Sequence, residues 1–342
     1  MSELRTYAFL NARIRTIRSS LLTKPVYKEL ISAKDVHDLQ VQLSKTHFKA
    51  VFERAGVHDT ALLEQAFFLD ELGRIRIIEE FSQDKLRSFI QCLLQRYEAE
   101  KIKILLRLWH RRTDLPEILI PEKILYAIPA NIVDAADLKE FTRALADTPY
   151  AEPLRAAESD FTAYRSVFPL ELAVDRTVFE NLLKSSAALS TRDHSMVKRL
   201  VGIEIDISNL NWIGRFKRYY HLSSAEIGRL LLPNGFRIRQ NKIRQIAAEG
   251  NLIQALMDIF QGAHLNIPDP QNEVLVLGML ERFFSQVLRD EAVHAFAGFP
   301  FSIGAVLGYF YLIRMETRNV RMLFESKKYT LTPQQAEDLL VV

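Results

Sequence analysis

One cysteine, Cys92, stands in the 342 residues, which excludes an intrachain disulfide and a cysteine-based metal site and fits a reducing compartment. Set in SFIQCLLQRY, an apolar helical pattern, it is expected to be a buried, inert thiol. Glycine and proline number only 12 each, sparse for a chain built on phosphate loops, hairpins or tight turns. Neither GxxxxGK[ST] nor GxGxxG occurs, so no phosphate cradle is evident. The 8 histidines form no HExxH or CxxC-linked set, and no GxSxG elbow is present. The chain is therefore expected to have no catalytic, cofactor or metal residues. Its opening, MSELRTYAFLNARIR, has no apolar stretch of signal-peptide length, which leaves the cytoplasm as the expected compartment.

What is present favours helices. The helix formers Leu, Ala, Arg and Glu are abundant in a chain that is 48% hydrophobic and 25% charged. A formal charge of +3 is too small to announce nucleic acid. One stretch, Ala292 to Ile313, has no Asp, Glu, Lys or Arg and is long enough to cross a bilayer on length alone. Gly298 and Pro300 interrupt it, leaving Phe301 to Ile313 as a buried helix too short to span. Gly304 and Gly308 within it suit close helix contact, and Phe299, Phe301, Tyr309, Phe310 and Tyr311 are expected mostly to fill a core.

The chain repeats itself. EAEKIKILLR (98 to 107), DISNLNWIGR (206 to 215) and ETRNVRMLFE (316 to 325) each place an acid, then Lys or Asn three residues on, then aliphatics. Their first residues, Glu98, Asp206 and Glu316, are spaced by 108 and 110. A second pattern keeps the same order: Asp35, Leu43, Thr46 and Phe48 are answered by Asp137, Leu145, Thr148 and Tyr150, with a poorer third copy in AAEGNLIQALMDIF (247 to 260). Three helical modules follow, at 1–117, 118–224 and 225–342, a size ordinary for domains.

On a helix, an acid, the residue at +3 and the aliphatics at +4 and +7 lie within roughly 60° of one direction. Glu98 with Lys101, Asp206 with Asn209 and Glu316 with Asn319 should therefore be buried beside their aliphatics, where they need partners such as the free N–H groups of a neighbouring helix. That is an architectural role. The i and i+2 acids Glu98 with Glu100, and Glu204 with Asp206, point to different sides of a helix and do not form a catalytic pair.

Basic stretches offer a rival reading. LNARIRTIRSSLLTK, KIKILLRLWHRR and FRIRQNKIRQ concentrate arginine and lysine, so a helical-repeat nucleic-acid binder is the alternative function. Acids are interspersed and no recognised nucleic-acid motif occurs, which favours solvated faces or protein docking. Arg13, Arg15, Arg18, Arg215 and Arg321 lie beside repeat helices and are the candidate partner contacts.

YAFLNARIRTIRSSLL, LQVQLSKTHFKAVF, EIDISNLNWIGRFK, LLLPNGFRI and FPFSIGAVLGYFYLIRMETRNVRML, in that order and over the full length, resemble the C subunit of the V/A-type rotary ATPases, counterpart of the d subunit of the eukaryotic V-ATPase. The resemblance implies an all-α fold of three similar modules arranged as a pseudo-threefold funnel. It implies no enzyme activity and no cofactor. The implied partners are the membrane rotor ring and the central axle subunits, with the protein held at the membrane through the ring and without a span of its own. Lys101, where the other copies have Asn, departs from the pattern.

Overall fold

The computed structural model describes residues 3–55, 60–113, 123–239, 256–257 and 272–342. Its helices are α1 (Glu3–Arg18), α2 (Lys24–Ser32), α3 (Val36–Leu43), α4 (Lys49–Ala55), α5 (Thr60–Glu80), α6 (Asp84–Arg111), α7 (Leu138–Arg143), α8 (Ala151–Ala156), α9 (Glu158–Tyr164), α10 (Phe168–Ser186), α11 (Thr191–Arg215), α12 (Ser224–Leu230), α13 (Glu273–Ala297), α14 (Gly304–Lys328) and α15 (Pro333–Leu339). Among the described residues the only β pairing is an isolated bridge between Lys123 and Ala127. The fold is all-α. Two compact units divide it: Met1–Leu189 with Glu316–Leu340, and Ser190–Met315 with Val341–Val342.

The small repeated pattern is a recurring set of caps. Asp35 accepts a hydrogen bond from the Asp38 N–H at 2.8 Å, and Asp137 accepts one from Glu140 at 2.8 Å, so each starts a helix by satisfying an orphan donor. At the far end Thr46 donates to the Leu43 carbonyl (2.6 Å) and accepts from the Phe48 N–H (3.2 Å). Thr148 repeats both bonds with Leu145 (2.8 Å) and Tyr150 (3.3 Å). The bends turn Phe48 and Tyr150 inward, where each is fully buried. The poorer third copy lies outside the described residues except for Leu256 and Met257.

Long helices carry the core. In the first unit α6 packs along α10, and Lys103 reaches Asp175 at 2.9 Å while Arg107 reaches Glu171 at 2.5 Å. Burial penalises Lys103, but Asp175 and Glu100 outweigh it and hold its pKa above the ordinary lysine value. Removing one partner there would strand a buried charge. The same unit brings α14 onto α4 and α5: Phe324 meets Phe52 and Phe67, and Arg321 pairs with Glu64 at 2.9 Å.

In the second unit α11 packs along α13, with Arg199 bonded to both carboxylate oxygens of Glu291. The apolar run falls here as two helix segments joined by a turn, with α14 beginning at Gly304 rather than Phe301. A Cβ on Gly304 would stand 2.3 Å from the Ala295 carbonyl oxygen, and one on Gly308 would stand 2.5 Å from that of Ala292. Both glycines let two helix backbones touch. Tyr309, Phe310 and Tyr311 are buried, whereas Phe299 and Phe301 at the turn are exposed and meet edge to face at 5.5 Å. No helix among the described residues is long and apolar enough to cross a membrane.

The end of α11 carries an irregularity with a readable cause. Residues Phe216–Tyr220 form a π-helical turn, and His221 after it takes a left-handed conformation (φ 51°). Arg112 and Thr330 take the same conformation (φ 51° each) after α6 and α14. From the repeat acids they lie 14, 14 and, in the middle copy, 15 residues on (112 − 98, 330 − 316, 221 − 206). A π turn absorbs that one extra residue without moving the cap.

Candidate functional site: three acid seats

The repeated acids sit at equivalent points of α6, α11 and α14, and each grips a backbone segment far from its own helix. Glu98, fully buried, accepts from the N–H groups of Leu125 (2.7 Å) and Tyr126 (3.4 Å). Lys101 donates to the Ile128 carbonyl at 3.5 Å, a long bond. Burial pushes the Glu98 carboxyl above its ordinary pKa, and the two backbone donors pull it back in part.

Asp206 is also fully buried and accepts from Arg237 N–H (2.7 Å) and Ile238 N–H (3.0 Å). Asn209 holds Leu232 by both backbone groups, accepting from its N–H at 2.8 Å and donating to its carbonyl at 3.0 Å. Phe236 N–H donates to the Gly202 carbonyl at 3.0 Å. In this tight turn Asn234 is left-handed (φ 68°), and a Cβ on Gly235 would stand 2.3 Å from the Asp206 carboxylate. Burial pushes Asp206 up to about 7 despite those donors.

Glu316 accepts from Leu22 N–H at 2.5 Å, and its second oxygen lies 3.1 Å from His47 Nε2 and 3.8 Å from Arg74. The other ring nitrogen of His47 is 2.8 Å from the Ser20 carbonyl oxygen. Asn319 is buried at 2% exposure. In all three seats the donors belong to non-helical segments, not to the helix N-termini expected from the sequence, because these segments carry backbone N–H groups that no regular element satisfies. Glu98 and Asp206 reach forward by 27 and 31 residues, whereas Glu316 reaches back by 294. Residue patterns do not single out Leu22 or Gly235; the stretches some ten residues before the small repeated patterns are the signal that points to both segments.

Glu204 is held by the Tyr311 hydroxyl (2.8 Å) and Arg314 (2.9 Å), a structural network rather than a member of an acid pair. Cys92 is half-buried, and burial raises its thiol, which suppresses the reactive thiolate. No group of three or more His, Cys, Asp or Glu among the described residues is placed to hold a metal ion.

The five candidate arginines are scattered. Arg13 is exposed and lies 5.7 Å over the Phe81 ring, beside exposed Phe9. Arg15 donates to Asn11 at 3.2 Å, while partial burial and the charge of Arg15 lower the pKa of Arg18. Arg215 lies 5.0 Å over Trp212, and Arg321 is half-buried between Glu64 and the Phe67 ring. Lys242 and Arg244 of the third basic stretch lie outside the described residues.

Residues 10–339 match the family described as ATP synthase (C/AC39) subunit. The chain is similar to the C subunit of the A-type ATP synthase of Methanothermobacter thermautotrophicus, at 23% identity over 95% of this chain and 85% of the relative. It is similar to the protein of the same name in Archaeoglobus fulgidus, at 24% identity over 98% of this chain and 96% of the relative. The Pyrococcus horikoshii protein of that name is 21% identical over 98% and 90%. With nearly its whole length matched, the chain belongs to the ATP synthase (C/AC39) subunit family.

Proposed function

We propose that this chain is a non-catalytic central-stalk component that joins the axle of the soluble ATPase head to the membrane rotor ring, so that torque passes between ATP turnover and ion transport. The observation that carries the reading is the order of the acid seats. The acid of the first module grips the segment leading into the second, that of the second grips the segment leading into the third, and that of the third returns to the segment leading into the first. A closed cycle of three equivalent grips suits a stiff pseudo-threefold funnel with modules at 1–117, 118–224 and 225–342. Torque transmission asks for stiffness, and buried hydrogen-bonded carboxylates tie backbone to backbone more rigidly than apolar packing alone.

On this reading the protein is cytoplasmic and peripheral, held at the membrane by the ring, with Arg13, Arg15, Arg18, Arg215 and Arg321 as candidate contacts. The relatives named as C subunits of A-type ATP synthases support membership of such a complex. The test is retention of the purified chain by detergent-solubilised rotor ring and, separately, by the axle subunits from the same source, with a random oligonucleotide as competitor. Retention by both, unchanged by oligonucleotide, is the expected result. Binding to neither, or displacement by the oligonucleotide, would return the basic helices to the nucleic-acid reading.

A further inference from the structure

The third seat differs from the other two in what supplies its protons. Glu98 and Asp206 are each held by two backbone N–H groups. Glu316 has the N–H of Leu22 on its first oxygen, while its second oxygen faces His47 Nε2 at 3.1 Å. A backbone N–H keeps its proton at any ordinary pH; an imidazolium does not. His47 stands in the bend between Thr46 and Phe48, and the matching bend of the second module carries Pro149 in its place. That second bend also packs on an acid helix, with the Tyr150 hydroxyl donating to the Gln95 carbonyl of α6 at 3.1 Å, but its proline has nothing to titrate.

The ring is caught between two acceptors. Nδ1 lies 2.8 Å from the Ser20 carbonyl oxygen, which has no proton to give, so Nδ1 carries the hydrogen of that contact. In a neutral imidazole this leaves Nε2 with a bare lone pair. Nε2 is shielded from solvent, and what it meets is the Glu316 carboxylate. Two bare acceptors 3.1 Å apart repel, so one proton belongs between them, on the ring or on the carboxyl. The surroundings favour the ring, because the Leu22 N–H and Arg74 at 3.8 Å both stabilise an ionised Glu316. Arg74 is itself paired with Asp70 at 2.8 Å, so Glu316, Asp70 and Arg74 together carry one net negative charge, which an imidazolium cancels. The segment between α1 and α2 contributes the Ser20 carbonyl and the Leu22 N–H, neither of which titrates, with Arg18 and Lys24 to either side, and Lys45 precedes the bend.

We infer that the third seat is a proton-dependent clasp: a single proton held between His47 and Glu316 ties α14 to the segment between α1 and α2, and its loss at alkaline pH opens the contact. The sign follows from the proton count. The closed seat holds a proton that the opened seat gives up, so the stabilisation is complete on the acid side of the titration and fades as pH rises through it. The clasp is a property of this chain alone and stands whether or not the coupling role holds.

The test follows two signals by NMR on the full chain: the His47 ring nitrogens, and hydrogen exchange of the Leu22 amide, which requires the seat to open. Both are measured in the Asp206→Asn background, so that the second seat does not titrate. The expected result is a ring protonated on both nitrogens at about pH 5.5, and a fall of at least about tenfold in Leu22 protection, corrected for the intrinsic exchange rate, by about pH 8.5 as the ring loses its proton. His47→Gln keeps an N–H donor toward Glu316, and Glu316→Gln supplies one toward a neutral ring, so neither seat needs the extra proton and in both the fall should be absent. Leu22 protection that stays level in the seat with His47 and Glu316 intact, a fall of the same size in both variants, or a ring that is neutral throughout would each overturn the inference. If a variant fails to fold, the two signals of the intact seat decide alone: moving together with pH they support the clasp, moving independently they overturn it.

Discussion

The seats of Glu98 and Asp206 occupy equivalent places in two copies of one motif, yet they are built to different tolerances. Around Asp206 both carboxylate oxygens are occupied by backbone donors, Asn209 clamps Leu232 from both sides, and Gly235 leaves no room for a methyl group. Around Glu98 one oxygen takes both donors, and Lys101 reaches the Ile128 carbonyl over a long 3.5 Å. An amide can donate and accept at once and so mimics a backbone partner; an ammonium only donates. The same architectural task is therefore met once by a two-sided clamp and once by a looser, charge-assisted contact.

The largest expected effect breaks the tighter seat. Gly235→Ala places a Cβ 2.3 Å from the Asp206 carboxylate and 2.7 Å from the Ile238 carbonyl oxygen. Since the second neighbour is backbone, the turn must move as a whole, and a loss of about 3 kcal/mol or more in urea unfolding is expected. Asn209→Ala follows, leaving the buried Leu232 N–H without its acceptor at a cost of about 2 to 3 kcal/mol. Unfolding midpoints unchanged in both variants would show that the seat does not brace the fold.

The pH dependence sharpens the same comparison. Burial raises Asp206 from its ordinary 3.8 to about 7, so the folded state holds a proton that the unfolded chain releases between those values. Its contribution is fully present below about pH 4 and is lost as pH rises through about 7. Relative to Asp206→Asn, which cannot titrate, the wild-type chain should gain about 2 kcal/mol as pH falls from about 8 to about 5. A flat difference across that range would contradict the burial argument. The smallest effect is expected from Lys101→Asn, which brings the looser seat toward the tighter one: a change within about 0.5 kcal/mol in thermal unfolding, because the fold around it already accommodates the lysine.

Much of this comparison was legible in the sequence. Periodicity placed Glu98, Asp206 and Glu316 on the buried faces of helices, and the break at Gly298 and Pro300 argued against a membrane span, with Gly304 and Gly308 suited to close helix contact. What stayed hidden was the identity of each grip. The donors at Leu22, Leu125 and Arg237 are main-chain groups in irregular segments, and a main-chain N–H leaves no trace in residue type. Exposure was hidden for a related reason: Phe299 and Phe301 look as apolar as Tyr309 and Phe310, and only the turn between α13 and α14 puts the first pair in water. The extra residue after α11 was invisible because a π turn conceals an insertion that a count of matched motifs skips over.

The coupling role stands or falls on bridging. The most direct measurement is the mass of the complex formed when the axle subunits and the detergent-solubilised ring are mixed with and without this chain. The account predicts a ternary particle containing ring, chain and axle that is absent when the chain is left out. Association of axle and ring without the chain, or a chain that binds one and never both, would contradict it.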